Sequence, residues 1–163
     1  MMRNSTLTLT QMESARGTTW LDRALMDGQI DGLPEHSPVH QAAARRMRVL
    51  KEFGVETDEA GRPTEQGLRE LRTMDMQDAR KAVSERLGKS HLPTLDFGTV
   101  EGTFTETIDR PSGKFAIIER SREFSLVPWR PIMERRRGLS IVGRCSAGGI
   151  SWDVTGRQRG LSR

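Results

Sequence analysis

Residues 102–119 read GTFTETIDRPSGKFAIIE. Phe104 and Ile108 alternate with polar neighbours, Asp109 to Gly113 is rich in turn residues, and Phe115 to Ile118 is apolar. A period of two on either side of a turn signal predicts two strands joined by a tight connection. The pattern continues downstream. EFSLVP at 123–128, Leu139 to Arg144 and Gly149 to Val154 read as three more strands, the last two joined by the loop CSAGG. Five short strands cannot leave one apolar sheet face in water, so residues 93–163 are expected to curl into a small five-stranded antiparallel β-barrel. Within it, Pro128 ends the third strand and Pro131 starts a single-turn helix running through Glu134 to Gly138. Trp152 alternates with Ile150 and Val154 on the expected buried face.

Upstream the period is helical. Trp20, Leu21, Ala24 and Leu25 make one apolar face that Gly28 closes. Ser37 before Pro38 is an N-cap followed by proline at the first helical position, and Val39, Ala42, Ala43, Met47, Leu50 and Phe53 form a stripe that Gly54 ends. VETDEAGRP at 55–63 reads as a turn or small hairpin. TEQGLRELRT at 64–73 reads as a third helix with Leu68 and Leu71 inward, and Asp75 as the cap of a fourth carrying Met76, Ala79, Val83 and Leu87. Residues 18–90 are therefore expected to form a helical domain, winged-helix-like or a small bundle. Residues 1–17 read as a flexible N-terminal tail. The class is α+β. Arg45, Arg46, Arg48 and Lys51 are read as a solvated helix face in preference to a nucleic-acid contact.

The chain has 163 residues, enough for one large domain or two small ones, and 29% of them are charged. No apolar run approaches the ~20 residues that span a bilayer, and the first residues lack the apolar core of a signal peptide. The single cysteine, Cys145, forms no internal disulfide and reads as a small apolar residue at the edge of the strands. A cytoplasmic location is expected. The net charge is +4, but it is unevenly spread: from Arg120 to Arg163, ten arginines face Glu123, Glu134 and Asp153, giving +7 and leaving −3 for the rest. A basic third made wholly of arginine is the footprint of a face that meets a polyanion.

That basic third contains FSLVPWRPIMERRRG at 124–138 and GRQRG at 156–160. Arg130, Arg135, Arg136, Arg137, Arg157 and Arg159 are the candidates for phosphate contact, with Glu134 as a local alternative partner for Arg130. Trp129, between two prolines, is the candidate for stacking on a base. His36, His40 and His91 lack the spacing of a metal motif, and neither HExxH nor CxxC is present, so no metal and no cofactor are expected.

Four blocks, GTTWLDRAL at 17–25, GTFTETIDRPSGKFAIIE, FSLVPWRPIMERRRG and the terminal GGISWDVTGRQRGLSR, carry a resemblance. They resemble, in order, the C-terminal region of conjugative plasmid relaxases of the TraI/VirD2 type, known as domain of unknown function 3363. The resemblance implies an origin in mobile genetic elements and DNA as partner, single-stranded or near a transfer origin. It does not imply nicking, because relaxases cut with a tyrosine in a separate nuclease domain and this chain has no tyrosine. The expected function is a non-catalytic accessory nucleic-acid-binding module. The alternative is a protein-interaction module that docks on an acidic surface of a host nucleoprotein complex, such as a nucleic-acid-guided defence complex, and inhibits it.

Overall fold

A computed structural model of the chain describes residues 7–95 and 97–154. The chain divides into two compact units, Met1–Ala79 with Asp109–Gly113, and Arg80–Ile108 with Lys114–Arg163. Counted over the sequence, the first holds 11 basic and 14 acidic residues and the second 15 and 8, so the units carry −3 and +7.

The first unit is helical. Thr8 accepts from the Gln11 amide at 3.2 Å while the Gln11 side chain accepts from the Thr8 amide at 2.9 Å, and this capping box starts α1, Leu9–Ser14. Its polar composition hides a helix in what reads as tail, and Met12 of that helix is buried. α2, Trp20–Met26, starts from Thr19. α3, Pro38–Phe53, runs from the Ser37 cap to Gly54, whose φ of 77° gives the left-handed stop. The expected small hairpin is present as a single antiparallel bridge between Thr57 and Pro63. Leu21, Ala24, Leu25, Ala42 and Ala43 form one core cluster; Leu50, Val55, Leu68 and Leu71 form another.

The expected third and fourth helices are one helix, α4, Glu65–Leu87. Thr64 caps it by accepting from the Gly67 amide at 3.1 Å. Between Gly67 and Gly88 lies no glycine or proline to break the ladder, and the Thr73 hydroxyl donates to the Arg69 carbonyl within the helix rather than drawing the backbone out of it. Asp75 is not a cap: fully buried in mid-helix, its carboxylate accepts from Arg110 Nε and from the Ser112 amide, each at 2.8 Å. The Thr18 amide donates to Ser112 Oγ at 2.9 Å, and any side chain on Gly17 would strike the Asp75 carboxylate. The GTT and DRPS blocks of the sequence thus meet on one buried aspartate.

Arg46 lies on the buried side of α3, not on its solvated face. Its guanidinium donates to both Asp22 oxygens and to the carbonyls of Glu13, Ala15 and Gly17, at 2.7–3.3 Å. This uses every donor it has, which is the condition for burying a charge.

Among the described residues the second unit holds six strands: β1 Ser90–His91, β2 Thr99–Arg110, β3 Gly113–Glu119, β4 Glu123–Pro128, β5 Ser140–Ser146 and β6 Gly149–Asp153. They form one sheet in the order β1-β4-β3-β2-β5-β6. The end of β2 and the start of β3, as the hairpin tip Asp109–Gly113, count with the first unit. β1 pairs parallel to β4, while β3–β4, β2–β5 and β5–β6 are antiparallel.

The five-stranded antiparallel barrel expected from the sequence is therefore not formed; the sheet is open, six-stranded and mixed. The physical reason lies in the centre. Phe115, Ala116, Ile117 and Ile118 are consecutive and all buried, as are Phe124 to Val127. A small barrel in water buries only its inner face, so its strands alternate; strands buried on both faces belong in a layered structure. One layer is the short segment after β4, whose Met133 joins Val100, Phe104, Ala116, Ile118 and Ile141, with Trp129, Ile150 and Trp152 packed against them. Residues of α4 beyond Ala79 also belong to this unit: Val83 is buried, and Arg86 pairs with Glu106 of β2 at 3.0 Å. Among the described residues no helix is long and apolar enough to cross a membrane.

Candidate nucleic-acid interface

Three consecutive arginines have three different environments, because they close a 3₁₀ helix whose C-cap is Arg137. Pro131–Arg136 is such a helix, and Gly138, at φ 81°, turns the chain towards β5. Three residues per turn place neighbours about 120° apart. One row, Met133 and Arg136, points inward and is buried. Arg136 Nε donates to the Ser140 carbonyl at 2.9 Å, closing the loop into β5. A second row, Ile132 and Arg135, is exposed. The third row carries Glu134, which reaches Arg137 one turn on.

Arg137 forks onto Glu134, Nε to Oε1 at 2.7 Å and Nη2 to Oε2 at 2.8 Å. Its guanidinium carbon also lies 4.9 Å from the centroid of the Phe104 ring. Glu134 accepts a further hydrogen bond, from Trp129 Nε1 at 2.6 Å. The hydrogen bonds from Arg137 and then Trp129 hold the Glu134 carboxyl below its ordinary range, with the charges of Arg137 and Lys114 adding to them. Glu134 thus pairs with Arg137 and not with Arg130.

Trp129 is half-buried. It packs against the sheet core, donates to Glu134, and carries the Lys114 ammonium 4.7 Å from its ring centroid. These contacts make it a strut of the segment and occupy ring surface that a base would use. Arg130 is exposed; its Nη2 lies beside Gly149, where the β5–β6 turn re-enters the sheet. Among the described residues, neither Arg130 nor Arg135 makes an ion pair. Arg157 and Arg159 lie outside the described residues.

Of the candidate residues, then, Trp129, Arg130, Arg135, Arg136 and Arg137 come together around one 3₁₀ turn. Among the described residues two of the arginines make no ion pair, one is a structural prop and one is held by a carboxylate. Sequence reasoning missed Lys114, whose place beside Trp129 follows from the pairing of Phe115 with Pro128. The Glu134–Arg137 pair had a signal, an i, i+3 spacing, that needs a helical turn to be read.

The molecule so described is a two-unit α+β protein with a basic, sheet-bearing unit. Residues 1–162 match the family described as Protein of unknown function (DUF3363), and the chain belongs to that family. No curated protein and no solved structure matches it.

Proposed function

We propose that this chain is a non-catalytic nucleic-acid-binding module of the relaxase-associated, mobile-element kind, gripping DNA phosphates through the basic sheet-bearing unit. The observation that carries the reading is the pair of exposed arginines, Arg130 and Arg135, which make no ion pair among the described residues, at one turn of a unit that carries +7 by sequence. Unpaired surface guanidinium groups are the donors that exchange condensed counter-ions for protein on a phosphate backbone. Arg157 and Arg159 extend the same charge along the chain. Trp129 is assigned to holding the turn, so binding is expected to be electrostatic in character and tolerant of base sequence. Without tyrosine the chain offers no hydroxyl nucleophile for a phosphotyrosyl link.

The test is binding of the full chain to short single-stranded and duplex oligonucleotides. The Arg130→Ala/Arg135→Ala variant is expected to bind both at least tenfold more weakly at low salt, each lost phosphate contact weakening both alike. An unchanged affinity rejects the assignment of these two residues. If the wild type ignores DNA while the same variant loses a purified host nucleoprotein complex that the wild type binds, the surface is a protein-docking one.

A further inference from the structure

Glu134 and Arg137 form a pair with the geometry that a phosphate would itself use. Both carboxylate oxygens face the guanidinium fork, at 2.7 and 2.8 Å, and the two side chains are 40% and 42% exposed. An incoming anion reaches the pair without any rearrangement of the core. Both partners also keep an anchor if they separate. Arg137 rests on the Phe104 ring, and Glu134 retains the Trp129 indole N–H. Lys114, over the Trp129 ring, stands ready to balance the released carboxylate.

We infer that Glu134 is an internal counter-ion that competes with a nucleic-acid phosphate for Arg137, so that Arg137 enters the interface only by exchanging its carboxylate for the ligand. This rests on the nucleic-acid reading above. The free protein presents Arg130 and Arg135; the bound protein adds Arg137 when a phosphate comes close enough to win the fork. An exposed ion pair is weak, so the exchange is shallow and reversible. Its effect is to lower affinity for isolated anions and to favour a backbone that places several phosphates along the turn at once.

The experiment measures affinity for a short duplex against salt concentration for four forms of the full chain. Glu134→Gln keeps an acceptor for Trp129 and releases Arg137. It is expected to bind about threefold to tenfold tighter than wild type, with a log–log salt slope steeper by up to about 0.9, the value of one phosphate contact, because in the wild type Arg137 stays on Glu134 in part of the bound population and in the variant it does not. Glu101→Gln makes the same charge change at an exposed residue of β2 and is expected to leave the slope at its wild-type value. In Glu134→Gln/Arg137→Ala the gain and the extra slope are expected to vanish together. Glu134→Asp keeps the charge but shortens the reach; it moves affinity and slope in the same direction as Glu134→Gln, and replaces it if that variant melts early. A Glu134→Gln slope equal to wild type, or a gain that survives loss of Arg137, overturns the inference while leaving the nucleic-acid reading standing. No binding by any form overturns both.

Discussion

Arg46 and Asp22 share a bidentate pair, Nε to Oδ1 at 2.7 Å and Nη2 to Oδ2 at 2.9 Å, with both side chains 0% exposed. Removing either partner leaves a buried charge without its counter-ion, which costs about 3–5 kcal/mol. Arg46→Ala and Asp22→Ala are each expected to lose that much in chemical denaturation. Arg45, one residue away, pairs with Glu13 while 49% exposed, and Arg45→Ala is expected to cost less than about 1 kcal/mol. Equal losses at the two positions would contradict the buried network.

Gly143 sits where a β-carbon would lie 2.6 Å from the Trp152 ring and 2.7 Å from Ile150. Gly143→Ala therefore overpacks the sheet core and is expected to cost about 1–3 kcal/mol, with a change in the near-ultraviolet signal of tryptophan. A neutral substitution would mean that Trp152 does not pack over β5.

Lys89 donates to Glu119 at 2.8 Å and to the Arg120 carbonyl at 2.7 Å. The Lys89 hydrogen bond holds the Glu119 carboxyl below its ordinary value of 4.5. A carboxyl with a depressed folded pKa stabilises fully above its unfolded value and loses that contribution as pH falls through the folded one. Wild type minus Glu119→Gln stability should thus be constant above about pH 5 and shrink on acidification. Denaturation midpoints across the acid range check this; a difference that grows on acidification contradicts it.

The second unit includes β1 and the end of α4, so a fragment starting at residue 93 lacks the β1–β4 pairing and the Lys89–Glu119 bridge. It also lacks the Leu92 carbonyl that accepts from Ser125 Oγ at 2.9 Å. Residues 80–163 are expected to unfold at higher denaturant than residues 93–163. Equal midpoints would show that these contacts contribute nothing.

Local signals carried most of the element placement. Ser37-Pro38 and Gly54 bound α3 as read, and the five expected strands all occur. What failed was the long-range step. Alternation in EGTFTETI suggested one buried face for the whole sheet, yet FAII and FSLV are buried as continuous runs, which no barrel of that size accommodates. Ser90–His91, two residues long, has no periodicity to read. Asp75 has a cap's identity but serves as a buried acceptor for Arg110 and Ser112, a partnership 35 or more residues away in the chain. At the candidate site, charge density located the turn. Which arginine is free, buried or paired depended on the 3₁₀ phase, and composition does not report phase.

Arg130 and Arg135 are proposed to neutralise nucleic-acid phosphates. The most direct measurement is the slope of log affinity against log salt for a duplex oligonucleotide, wild type beside Arg130→Ala/Arg135→Ala, with thermal melts confirming that both are folded. Each phosphate contact contributes about 0.9 to the slope, so the double variant is expected to bind more weakly with a slope shallower by about 1.8. Identical slopes for the two proteins, or no salt-dependent binding by the wild type, would contradict it.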